Sequence, residues 1–352
     1  MSSRSPSTSS RPAPPSLEPG PAPANADATT PIEIGLNAAI VAVDRLSPLI
    51  LVTQPGNAGG EEGLPYGPFD PVEHRTMEIG LRAFVEEQTR LKLGYVEQLY
   101  TFGDRGRHAR RGDIGPHVMS VGYLALTRRL EEAEEALEES GAQWRPWYGY
   151  FPWEDWRQGR PPILDAAIAP ALKRWCEMAP AAERPDRPLA RLERVRLAFG
   201  WGNVPFDEER VLDRYELLYE AGLVAEARRD GRASAALWEG LPPLGRPMRF
   251  DHRRILATAI SRLRGKLKYR PVVFELVPGS FTLTELQKVV EAISGRHLHK
   301  QNFRRLVEQT RLVEQTGETS ISTGGRPAAL FRFRREVMKE GAMAGLRLRG
   351  RP

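Results

Sequence analysis

Between Phe281 and Arg334 the chain follows one pattern: an amphipathic run, a glycine, a second amphipathic run, then two β-rich runs around a pair of glycines. In FTLTELQKVVEAISG (281–295) the apolar residues recur every three to four positions, the mark of one helical face. Thr282 or Thr284 can cap its start with a hydroxyl, and Gly295 ends it where positive φ is easiest. The same spacing makes HKQNFRRLVEQT (299–310) a second helix. LVEQT and AALFRFR, within 311–334, read as strands joined by a Gly-rich loop. Upstream, RRILATAISRLRGKLKY (253–269) sets Ile255, Leu256, Ala259, Leu263 and Leu267 at helical spacing. RPVVFELV between them is short enough to be a strand or a turn.

Helix, helix, helix, hairpin is the order of a winged helix-turn-helix. In that arrangement the second helix of the pair enters the major groove, its first residues at base edges. Lys300, Gln301, Asn302, Arg304 and Arg305 lie within two turns at that place. Gln and Asn can pair with adenine, Arg and Lys with guanine, and all can reach phosphate. Phe303, Leu306 and Val307 are expected to face the core. At the loop tip Arg326 is placed to probe a minor groove, and Thr323 is a further DNA-binding candidate; Gly324 and Gly325 allow the turn and Pro327 stiffens the exit. Charge agrees. Residues 250–352 hold 21 Lys and Arg against nine Asp and Glu, a balance of +12, so a chain of net +6 leaves −6 on residues 1–249. A basic last third behind an acidic front suggests a polyanion-binding module attached to something else. A winged helix that serves as a protein-contact module is the other use of the same fold.

The rest of the chain bounds what that other part can be. No apolar run approaches the roughly 20 residues of a membrane span, and no basic-then-apolar leader opens the chain. The one cysteine, Cys176, makes neither an internal disulfide nor a cysteine-based zinc site, and fits a reducing cytoplasm. Residues 1–30 are Ser, Pro and Ala with almost nothing bulky to bury, so a disordered tail is expected. IEIGLNAAIVAVDRLSPLILVTQ (32–54) predicts a hairpin, Met77, Leu81, Phe84 and Val85 a helix over about 74–90, and YVEQLYTFGD and HVMSVGYLALT two more strands. Strands around one helix give the expected fold class, α+β. Helices are expected over 128–140, 163–178, 188–199 and 207–229. Four of the seven tryptophans crowd WRPWYGYFPWEDW (144–156). Trp144, Trp147, Trp153 and Trp156 fit a packed core or dimer surface better than a stacking site for adenine.

GPFDPVEHRTMEIGLRAFVEEQTRLKL resembles a Nudix box, whose full form is G-x5-E-x7-R-E-U-x-E-E-x-G-U with U apolar. Gly67, Glu73, Arg82, Glu86 and Glu87 match, with one extra residue between the halves, while Ala83 replaces a glutamate and Thr89 the glycine. In active enzymes those glutamates hold divalent metal against a pyrophosphate. Together with YVEQLYTFGDRGR and the terminal FTLTELQ…NFRR…GGRPAALFRF, this resembles the NrtR class of regulators of NAD metabolism, and in its length and middle insertion the related NadQ regulators of alphaproteobacteria. The resemblance covers roughly 32–127 and 250–335. It implies a homodimeric repressor of NAD biosynthesis genes that binds a palindromic double-stranded DNA operator. It also implies a Nudix-like domain that senses an adenine nucleotide (ATP, NAD(H) or ADP-ribose) without hydrolysing it and without a required metal or cofactor. Candidate effector residues are Tyr100, Phe102, Arg105, Arg107, Arg82 and Glu86; Arg110 and Arg111 stand near. An exposed basic loop beside two core aromatics fits the same residues. The alternative function is an active pyrophosphohydrolase on an ADP-ribose-type nucleotide. The expected domains are a tail (1–30), the Nudix-like sensor (31–130), a helical and aromatic-rich extension (131–247), the winged helix (248–336) and a basic tail (337–352).

Overall fold

β1 (Ile32–Asp44) and β2 (Ser47–Thr53) form the predicted hairpin, with Val41 opposite Ile50 and Asp44 opposite Ser47. The computed structural model describes residues 32–44, 46–54, 60–104, 117–129, 133–178, 189–269, 272–320 and 327–334. The expected tails therefore lie outside the described residues. β3 (Tyr66–Pro68) pairs antiparallel with the first part of β1. Next come α1 (Met77–Thr89), β4 (Tyr95–Phe102), β5 (His117–Leu126), a short α2 (Glu134–Glu139) and β6 (Ala142–Pro146). The sheet order is β4-β5-β1-β2-β6; β1 and β5 run parallel and the other pairs antiparallel.

The helical part follows: α3 (Ala169–Glu177), entered through a wider π turn at Leu164–Ile168, α4 (Arg191–Phe199), α5 (Val211–Glu220), α6 (Ala225–Arg229) and α7 (His252–Tyr269). The helix expected over 207–229 is broken in two. Gly222 holds φ at +82°, and a Cβ there would lie 2.4 Å from Ala235 N, so the chain turns where no other residue fits. The helix expected over 128–140 shrinks to α2 within its described part, and β6 emerges from a stretch where no strand was expected. RPVVFELV resolves as a 3₁₀ turn at Val272–Leu276. Then β7 (Phe281–Thr282), α8 (Leu283–Ser294), α9 (Lys300–Thr310), β8 (Val313–Ser320) and β9 (Ala328–Phe333) complete the chain, with a second sheet in the order β7-β9-β8. The α+β class and the terminal winged helix are as the pattern predicts.

β1 is apolar on both sides because both faces of its sheet are covered. Leu36, Ala38 and Ile40 pack with Leu81 and Val85 of α1, while Ala39 and Val41 join a cluster that includes Ile255, Leu256 and Ala259 of α7. A Cβ on Gly122 of β5 would lie 3.0 Å from Ile255 Cγ2, so α7 rests directly on the sheet. That helix touches β1, β4, β5, α5 and α8. The helix that sequence pattern joins to the winged end thus also closes the front sheet.

Candidate nucleic-acid interface and effector site

α8 and α9 are built from local rules. The Thr282 hydroxyl accepts from Glu285 N, and the Glu285 side chain accepts from Thr282 N, a reciprocal capping box. Of the two threonines it is therefore Thr282 that caps. Gly295 ends α8 at φ +71°. The turn after it is held from behind: Gln287 donates to Leu298 O at 2.8 Å, and Glu291 accepts from Leu298 N at 2.7 Å. Phe303 and Val307 bury themselves in the core and Leu306 packs partly against it. That fixes the rotation of α9 about its axis. Lys300, Gln301, Asn302, Arg304 and Arg305 consequently face solvent. Among the described residues none of the five has a hydrogen-bonding or ion-pair partner. At the wing, Arg332 pairs with Glu314 at 2.8 Å. The wing-tip candidates Thr323 and Arg326 lie outside the described residues.

The candidates in the front half are placed differently. Arg82 pairs with Glu78 at 2.9 Å, donates to Gly94 O at 3.1 Å and also to Leu93 O, so it fastens α1 to the following loop. Glu86 faces Lys92 at 3.5 Å. Tyr100 is 63% exposed, whereas Phe102 is 4% exposed and belongs to the core. Their rings meet edge to face at 5.4 Å, and the Arg254 guanidinium lies 5.2 Å from the centre of the Phe102 ring. Arg254 is itself bonded to Glu216, Asp251 and Asp104. Phe102 therefore has no open face for a base, because α7 packs over it; Tyr100 does. No hydrogen bond or ion pair among the described residues links Tyr100 or Phe102 to Arg82 or Glu86. Arg105 and Arg107, with Arg110 and Arg111, lie outside the described residues. The divalent metal that a Nudix box implies finds no matching donor set: among the described residues no three His, Cys, Asp or Glu side chains are grouped to hold one.

Sequence reasoning missed Arg249. Its guanidinium sits 4.6 Å from the Tyr66 ring centre and donates to Thr53 Oγ1 at 2.9 Å. Burial lowers its pKa, and no carboxylate pairs with it among the described residues. His252 is fully buried beside it, its Nδ1 accepting from Leu64 N at 2.9 Å. No local signal marks Arg249, since Thr53 and Tyr66 are far away in sequence.

The model of the NrtR DNA-binding winged helix domain matches residues 273–333. The carboxyl-terminal domain is an NrtR-type winged helix. Over 84 residues, 24% of this chain, the sequence is 44% identical to the ADPR responsive transcriptional repressor NtrR of Acinetobacter baylyi. That match spans 33% of the relative's length. The fold is similar to that of Shewanella oneidensis NrtR crystallised with a 27mer DNA, with a TM-score of 0.51 and 22% identity, covering 89% of this chain and 98% of that one. The matched residues start after α7, the helix that packs on both the front sheet and α8. Among the described residues no helix is long and apolar enough to cross a membrane.

Proposed function

We propose that this chain is a nucleotide-responsive transcriptional repressor that grips double-stranded DNA through α9 and the wing. The observation that carries the reading is the outer face of α9: five side chains able to read bases or phosphates, exposed and without a partner among the described residues, on a helix locked in rotation by Phe303 and Val307. Such a face on a helix-turn-helix suits the major groove. The relative named as an ADPR responsive repressor supports both the regulatory role and ADP-ribose as the first effector to try. The front sheet, with its resemblance to a Nudix box, is the sensor. The exposed ring of Tyr100 and the half-buried Arg249 beside Tyr66 are the groups suited to a base and to an anion. Arg82 engaged by Glu78, Glu86 facing Lys92 and Ala83 at a metal-glutamate position support holding a nucleotide rather than cutting it. A homodimer would read a near-palindromic operator with half-sites about one helical turn apart, or a multiple of it. NAD biosynthesis genes are the targets that the resemblance implies.

The test selects double-stranded DNA from a random library with the purified chain, then titrates the winner with and without ADP-ribose. A shared near-palindrome whose affinity changes with ADP-ribose is expected. Absence of any selected sequence, or rapid release of AMP from ADP-ribose with Mg²⁺, overturns the reading.

A further inference from the structure

Residues 145–156 run from the front sheet to the helix-turn-helix and are bonded at both ends. At the sheet end, Arg145 and Tyr150 hold the Glu62 carboxylate, at 2.9 and 2.5 Å. Glu62 lies just before β3, and its carbonyl accepts from Arg249 N at 3.0 Å. The middle is rigid: Trp147, Tyr150, Phe151 and Trp153 are fully buried, and Arg253 of α7 bonds the Tyr150 carbonyl. At the far end the segment meets the turn between α8 and α9. Tyr148 donates to Ala292 O at 2.7 Å, and Trp156 N donates to Gly295 O at 2.7 Å. A Cβ on Gly295 would come within 2.4 Å of Glu154 O, so the two backbones are in contact.

Glu154 is the centre of this junction. It is buried and takes Arg214 of α5 at 2.6 and 2.8 Å and Arg264 of α7 at 2.7 Å. Arg264 in turn donates to Ile293 O, at the end of α8, at 2.9 Å. One carboxylate thus joins the segment, α5, α7 and α8. A buried ion pair adds little net stability, but removing one partner strands a charge, so these bonds hold the junction together.

We propose that residues 145–156, centred on Glu154, are the positioning element of the recognition helix, transmitting a change at the Glu62 end of the sheet to the α8–α9 turn. This rests on the reading of the chain as a nucleotide-responsive DNA-binding protein. It assigns a role to the tryptophan-rich segment, which the winged helix and the Nudix resemblance leave without one. Coupling through a packed network requires an element that both sites bias; this segment touches both.

The experiment uses the full chain, hydrogen exchange at Gly295–Lys300, and operator affinity with and without ADP-ribose. Tyr148→Phe and Glu154→Gln each cut the turn end. Without any ligand, exchange at Gly295–Lys300 should rise about tenfold or more, consistent with local opening that leaves the rest folded. Tyr148→Phe is the variant that keeps this arm readable where Glu154→Gln unfolds. Tyr150→Phe, combined with Arg145→Met, removes the bonds of both residues to Glu62 at the sheet end and none of the bonds to the turn. Its operator affinity without nucleotide should stay near wild type, while the effect of ADP-ribose on that affinity falls about fivefold or more. Unchanged exchange in Tyr148→Phe, or a full ADP-ribose response in the combined Arg145→Met and Tyr150→Phe variant, overturns the positioning role. A wild-type chain that binds neither DNA nor ADP-ribose overturns the functional reading instead, and the ligand-free exchange still decides whether the segment holds the turn.

Discussion

α1 and α9 are amphipathic helices of 13 and 11 residues, and they carry their charges in opposite states. On α1, Arg82 is bonded to Glu78 and to two carbonyls, and Glu86 faces Lys92. On α9, Lys300, Arg304 and Arg305 project from a helix whose other face is locked in the core, and none has a partner among the described residues. Charges that neutralise each other locally do a structural job. A row of one sign, held rigid and left unpaired, keeps its field for something outside the molecule. The charges around Glu154 are a third case, paired but in the core, and they set the scale for the other two.

The largest expected effect lies there. Glu154→Gln strands the buried Arg214 and Arg264, which should cost about 3–5 kcal/mol in urea unfolding. Burial alone would raise the Glu154 pKa; Arg214 and Arg264 outweigh it and hold the carboxyl below its usual value. A depressed carboxylate contributes stability that is present above the unfolded pKa of about 4.3 and is lost as pH falls through the lower folded value. The stability gap between wild type and Glu154→Gln should therefore narrow in acid. Curves that stay parallel through that window would show that this pair does not set the scale.

Arg304→Ala and Arg305→Ala come next. Each should weaken operator binding by about 1–3 kcal/mol where it meets a base, or lower the salt slope by about one where it meets phosphate. Salt titrations of both variants on operator and scrambled DNA separate the cases. Binding unchanged in the double variant would place α9 with α1, as a solvated face. The smallest effect is expected for Arg82→Ala: its exposed pair with Glu78 should contribute less than about 1 kcal/mol, with operator affinity unchanged. A marked loss of ADP-ribose binding in a calorimeter, with stability intact, would erase the contrast by making Arg82 an effector ligand.

How much was legible follows from sequence distance. A threonine cap and the terminal Gly295 are read directly, because they act within a turn or at a single φ, while the choice of Thr282 over Thr284 rests on the reciprocal bonds to Glu285. The long helix over 207–229 is broken, since the apolar stripe of Tyr215, Leu218, Tyr219 and Leu223 continues across Gly222, which the fold needs for a turn. Phe102 reads equally as a stacking ring or a core aromatic, and it is core; the helix that covers it lies some 150 residues further on, as the Arg254–Asp104 bond shows. Glu154 carries no signal of its own: its arginines are 60 and 110 residues away.

The chain's own order of residues determined the local pieces: the helix pair with its caps, the exposed row on α9, the apolar strand β1 and the basic end. These depend on periodicity and on neighbours within a turn or two, which any reading of the chain contains. Tertiary structure alone decided that α7 closes the front sheet while supporting the winged helix, that Arg82 is engaged while Arg249 has no carboxylate partner among the described residues, and that a tryptophan-rich segment ties the two halves together through Glu154. Those outcomes depend on which distant side chains share a low-dielectric interior, and composition along the chain does not encode that proximity.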